Sequence, residues 1–109
     1  MVNIFKIKKN DTNPALAVTL NYSDNTAVDL TNGSVWFIMG ELGTYAPYHS
    51  GLCFITGSTT GNVEYRFDGT NDTGNVGTWV GEFESIWVGS KMTLPSDHSL
   101  QVQVFEDYN

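Results

Sequence analysis

The chain has a single cysteine, only five basic residues, and no apolar run long enough to cross a bilayer. Each shortage excludes something. With Cys53 alone there is no internal disulfide, and a zinc site built from four cysteines or from paired cysteines and histidines lacks its ligands. A spanning helix needs about 18 apolar residues in a row. The N-terminus carries lysines but no apolar segment followed by a small-residue cleavage site, so no export or membrane signal is expected.

Base is scarce against twelve acidic residues, and the formal charge is −7. Three of the five bases, Lys6, Lys8 and Lys9, fall in the first nine positions, leaving a formal −10 on the rest. Such a surface repels a phosphate backbone, which argues against nucleic-acid binding. A solvated surface accounts for most of this imbalance. A basic first strand docking on an acidic patch of a partner is the sharper alternative.

Helical periodicity is also missing: no window of a dozen residues repeats at 3.6. What is present is alternation. Residues 2–8 place Val2, Ile4 and Lys6 on one side and Asn3, Phe5 and Ile7 on the other. In "ALAVTLNY" Leu16, Val18, Leu20 and Tyr22 recur at period 2, and "SDNT" reads as a turn. "AVDLTNG" reads as a short strand ending at Gly33. In "SVWFIMG" Val35, Phe37 and Met39 face one way and Trp36 and Ile38 the other, so the strand is central or has its second face covered.

Residues 41–51 have no period and read as the longest loop. "LCFIT" is a short apolar run, and "VEYRF", with Val63, Tyr65 and Phe67 inward, follows it as a hairpin. In "TWVGEFESIWVG" Trp79, Gly81, Phe83, Ser85 and Trp87 share one face, and Val80, Glu82, Glu84 and Ile86 the other. "KMTLPSDHS" reads as a turn, and Leu100, Val102 and Val104 close the chain opposite Gln101, Gln103 and Phe105. The 109 residues therefore predict one all-β domain, an immunoglobulin-like antiparallel β-sandwich of seven to nine short strands.

No catalytic, cofactor-binding or metal-ligating set is legible. Glu82 and Glu84, about 6.5 to 7 Å apart on one strand face, approach the spacing of glycosidase carboxylates. Their surroundings read instead as a solvated face over an aromatic core. His49 and His98 lie among turn formers and read as surface-loop residues, and Cys53 as a small buried hydrophobe. No nucleophile elbow, zinc-binding His pair, calcium loop or phosphate cradle is written. Asp72, Gly74 and Trp79 loosely echo the entry to a late immunoglobulin strand, but an indole lacks the hydroxyl of a tyrosine corner. Most aromatics read as core, with Tyr45 and Tyr48 on the loop left free for a ligand such as a sugar ring.

Taken in order, "I-x-K" at Ile7 to Lys9, "DT-x-P-x-L" at Asp11 to Leu16, "AVDLT" at Ala27 to Thr31 and "SV-x-F-x-M" at Ser34 to Met39 form a series. It continues with "G-x-V-x-Y" at Gly61 to Tyr65, "GT-aromatic-x-x-EF" at Gly77 to Phe83, "T-x-P" at Thr93 to Pro95 and the alternating strand from Leu100 to Asp107. The series resembles the N-terminal domain of phage baseplate upper proteins. That resemblance implies a non-enzymatic, immunoglobulin-like virion protein, made in the host cytoplasm and lodged in the tail or baseplate. Its partners would be other phage structural proteins and copies of itself, with no cofactor, nucleic acid or membrane.

Members of that family usually continue into helical or receptor-binding parts, whereas this sequence ends at Asn109. An adaptor or ring component is therefore expected rather than the host-binding tip. A capsid decoration protein and a carbohydrate-binding module using Tyr45 and Tyr48 are the alternatives. Subunit contacts are expected at the first strand, at residues 41–51 and on the face bearing Trp36, where apolar groups are in surplus.

Overall fold

The computed structural model describes residues 3–43, 47–95 and 100–106, and within these the chain is strand without helix. Among the described residues no helix is long and apolar enough to cross a membrane. Nine strands run in order: β1 (Asn3–Lys8), β2 (Leu16–Thr19), β3 (Ser34–Glu41), β4 (Pro47–Leu52), β5 (Phe54–Gly57), β6 (Asn62–Tyr65), β7 (Gly77–Trp87), β8 (Ser90–Leu94) and β9 (Leu100–Phe105). The larger sheet has the order β1-β9-β7-β3-β4, with β8 also on β7; the smaller has the order β2-β6-β5. This is an all-β sandwich.

The long strand β7 organises the larger sheet. One of its edges pairs with β3 from Trp79 to Ile86. The other is shared end to end, with β9 along residues 77–81 and β8 along residues 83–87. Gly81 lets the sheets close here, because a Cβ at this position would lie 2.8 Å from the Phe37 ring. Phe37 in turn meets Phe83 and Tyr65 at centroid distances of 5.0 and 4.7 Å, tying both sheets into one core.

Alternation places the core where the sequence puts it. Val35, Phe37, Met39, Val63 and Val102 are fully buried, and Tyr65, Val104 and, beyond β6, Phe67 are buried with them. Cys53 is buried as expected, and burial pushes its thiol up to about 12. The turn chemistry is also as read. Asp24 accepts both the backbone and hydroxyl hydrogens of Thr26, and Asn25 takes the left-handed conformation at φ 68. Asp29 treats Thr31 the same way.

Several expectations need correction. The larger sheet is mixed rather than antiparallel, because β1 runs parallel to β9 from Asn3–Leu100 to Lys8–Phe105. "AVDLTNG" is not a strand. Ala27 forms one isolated bridge to Asn21, and Val28 and Leu30 are buried from irregular chain closed by the Asp29–Thr31 turn. Tyr22 ends its alternating run exposed rather than buried. "KMTL" is no turn but strand β8, folded back on β7 through Val88 and Gly89, with Gly89 at φ 80. Residues 47–51, read as part of the loop, form β4 together with Leu52. His98 and Tyr45 lie outside the described residues.

Candidate functional site

The two carboxylates Glu82 and Glu84 face outward on β7, opposite Ile38 and Trp36 of β3. His49 sits across from the fully buried Met39 and therefore on the inner side. The sheet thus separates the paired acids from the described histidine. The pair is part of a strand face.

His49 is not a surface-loop residue, as its neighbours suggested. It lies half-buried on β4, with Nε2 3.1 Å from the Tyr65 hydroxyl of the smaller sheet. Tyr65 donates to Asp72 Oδ2 at 2.5 Å. Asp72 is fully buried and also accepts the backbone N–H groups of Asp68 (2.8 Å), Gly69 (3.2 Å) and Thr73 (2.7 Å). Burial, and then the bond to Asp72 and its negative charge, hold the Tyr65 phenol far above its ordinary value. It therefore serves as a donor at any working pH.

Asp68 is the exposed counterpart of Asp72. Burial opposes its ionisation, but the hydrogen bonds from Thr70 and Asn71 outweigh that and hold its carboxyl well below the usual range. One ligand atom each from His49, Asp68 and Asp72 lies within 4.8 Å of the others, a grouping with a metal-like donor set. Yet every oxygen of both carboxylates already accepts hydrogen bonds from the chain. A cation would have to displace bonds that close the 68–73 loop. The arrangement is a polar staple between β6 and β7. It does the work of a tyrosine corner with Tyr65 as the hydroxyl donor, where the sequence offered only Trp79.

Tyr48 is not free for a ligand either. A β-bulge between Met39 and Gly40 lets Tyr48 as well as its neighbour His49 turn inward. Its ring stacks on Trp79 at a centroid distance of 4.1 Å and an interplanar angle of 9°, and its hydroxyl accepts from Asn75 Nδ2 at 2.9 Å. Trp79 and Trp87 pack against the core, as aromatic-in alternation requires.

Trp36 behaves differently. It is 38% exposed on the outer face of the larger sheet, directly beside Leu52, which is 56% exposed. Ile38 of β3 and Val80 and Ile86 of β7 share that face and are only partly covered. Ile4, exposed on the edge strand β1, extends it. A sheet interior to a small domain normally turns polar groups outward. Here the central strand β3 presents a tryptophan and an isoleucine instead. A second apolar feature, a groove of about 480 Å³, lies between the edge strands β1 and β2, and none of its described lining residues is charged.

An all-β sandwich with a buried polar staple and an apolar outer face is the class these features define. No protein-family model matches the chain, and no curated protein matches it in sequence.

Proposed function

We propose that the protein is a non-enzymatic structural component of a bacteriophage virion, a tail or baseplate adaptor or ring subunit that works through contacts with neighbouring subunits. The observation carrying this reading is the outer face of the larger sheet, where Trp36, Leu52 and Ile38 lie side by side in contact with solvent. Contiguous apolar surface of this kind is what interfaces between subunits bury. The ordered motif series from Ile7 to Asp107, which resembles baseplate upper proteins, supplies the virion context. The polar residues brought together inside the fold, His49, Tyr65, Asp68 and Asp72, spend their hydrogen bonds on the chain itself, which supports a role without catalysis. The stacking of Tyr48 on Trp79 removes one of the two aromatics a sugar-binding module would use.

Mass spectrometry of purified particles from the phage that encodes this chain tests the proposal. A few to a few dozen copies per particle fit a tail position, and hundreds fit capsid decoration. Absence from particles overturns the virion assignment.

A further inference from the structure

The two layers of the sandwich part at one seam, between the edge strand β1 of the larger sheet and the edge strand β2 of the smaller. The inner side of β1 carries Asn3, Phe5 and Ile7, level with the buried Leu100, Val102 and Val104 of β9. Ile7 is buried, Phe5 half-buried and Asn3 exposed, so the core opens toward the start of the strand. On the other side of the seam Leu16 and Leu20 are buried, but Val18 between them is only half-buried. The groove of about 480 Å³ fills this opening, and the buried Leu16, Leu20, Phe83 and Leu100 form its floor.

The rim is polar, uncharged and fixed. Tyr22 and Asn25 belong to a turn in which the Tyr22 N–H donates to the Thr26 carbonyl and the Asn25 N–H to the Tyr22 carbonyl, both at 2.9 Å. Asp24 accepts from Thr26, and its carboxylate is not among the groove's lining. The backbone of the turn is thus committed, whereas the side chains of Tyr22 and Asn25, and of Asn3 and Asn21 beside them, have no hydrogen-bonding partner among the described residues.

We propose that this groove binds an uncharged small molecule with an apolar body and one or two hydrogen-bonding groups. Its volume lies within the range of about 300 to 1,000 Å³ typical of small-ligand sites, and it pairs an apolar floor with a few polar groups at the rim, as such sites do. A charged ligand would lose its water over Leu16, Leu20 and Phe83 and find no ion partner among the described lining residues. An added peptide strand fits less well. The groove follows β1 only from Asn3 to Phe5, and Pro95, just past β8, offers no N–H for pairing. The inference is independent of the subunit-contact reading, which rests on Trp36, Ile38 and Leu52.

Fluorescence titration of the full chain with two matched dyes tests it: N-phenylnaphthylamine, which is uncharged, and anilinonaphthalenesulfonate, the same ring system bearing a sulfonate. At about 0.5 M NaCl the repulsion between the sulfonate and a −7 chain is screened. The neutral dye is expected to bind one per chain and the anionic dye more than about tenfold more weakly, because its charge would be buried unpaired. Tyr22→Ala should weaken the neutral dye about three- to tenfold, the contribution of one aromatic contact. Val18→Trp, which fills the groove, should abolish binding. Thermal melting checks both variants, and if Val18→Trp fails to fold, Tyr22→Ala at its exposed position decides. No binding of the neutral dye, equal affinity for the two dyes, or binding that survives both substitutions overturns the inference. So does binding lost in Trp36→Ser and kept in Tyr22→Ala, which would put the dye on the outer face. The virion reading stands or falls separately on the particle mass spectrometry.

Discussion

Trp36 and Glu84 stand directly across from one another on neighbouring strands, both on the outer face of the larger sheet. An indole that is 38% exposed beside a carboxylate is a poor arrangement for an isolated surface and a good one for a contact with an apolar centre and a charged rim. Because Trp36 contributes little to the core, removing it separates folding from association. Trp36→Ser should leave the melting temperature within a few degrees of the wild type, since surface substitutions cost about 0.5 kcal/mol or less. A drop as large as that of a core truncation would show that Trp36 supports the fold instead.

Asp72 is expected to be the most sensitive polar position. Asp72→Ala leaves three backbone N–H groups and the Tyr65 hydroxyl without their acceptor. Each orphaned buried donor costs about 1 to 3 kcal/mol, so urea unfolding should show a loss of at least about 3 kcal/mol. Tyr65→Phe removes the bond to the charged Asp72 together with the contact to His49 Nε2 and should cost at least about 1.5 to 3 kcal/mol.

Stability should fall at both ends of the pH scale, for separate reasons. The Asp68 carboxyl is depressed in the fold below its ordinary 3.8. Its contribution is therefore complete above about pH 4 and lost as acid protonates it toward its lower folded value. The Cys53 thiol is raised from 9.0 to about 12. Its contribution is complete below pH 9.0 and lost as pH climbs from 9.0 toward 12, where the unfolded thiol ionises and the folded one does not. Chemical denaturation at pH 3, 7 and 10.5 reads both limbs. Substituting Asp68 by Asn should flatten the acid limb and Cys53 by Ala the alkaline one.

Two inner positions of β7, on either side of Phe83, should respond differently to alanine. At Gly81 a Cβ meets the Phe37 ring at 2.8 Å and Leu100 at 3.2 Å, so Gly81→Ala forces the core to shift and should cost about 1 to 3 kcal/mol. Ser85 is buried with its hydroxyl unpartnered. Ser85→Ala removes an unsatisfied polar group at little change in shape and should be neutral or stabilising. Calorimetry of the two variants side by side checks the pair.

The parts of the fold legible in sequence are those where alternation is local and long. β3, β7 and β9 carry period-2 patterns of five or more residues, and the residues read as inward are the buried ones, apart from Trp79 and Trp87, which are half-buried against the core. β4 was hidden because Pro47, Gly51 and a bulge break its alternation. β8 was hidden because four residues before a proline look like a turn until β7 is there to pair with them. The parallel pairing of β1 with β9 joins the two ends of the chain, and no local pattern encodes it. Val28 and Leu30 were recognised as apolar but not as irregular, since their N–H groups bond single carbonyls of two separate segments, Leu20 and Ser58, rather than one strand partner, and no local pattern encodes that. The polar staple was less visible still. An aspartate in a stretch of Gly, Asn and Thr reads as a turn, and its burial depends on Tyr65 arriving from the preceding strand. The outer face, by contrast, was signalled by Trp36 and Ile38 occupying the polar side of an alternating strand.

The central claim is that this outer face exists to be covered by neighbouring subunits. Its most direct test is to build Trp36→Ser/Leu52→Ser into the proposed source phage and measure the copy number of the chain in purified particles by quantitative mass spectrometry, alongside the melting temperature of the isolated variant. The account predicts a folded protein that is lost from particles. A variant that folds and is incorporated at the wild-type copy number would contradict it.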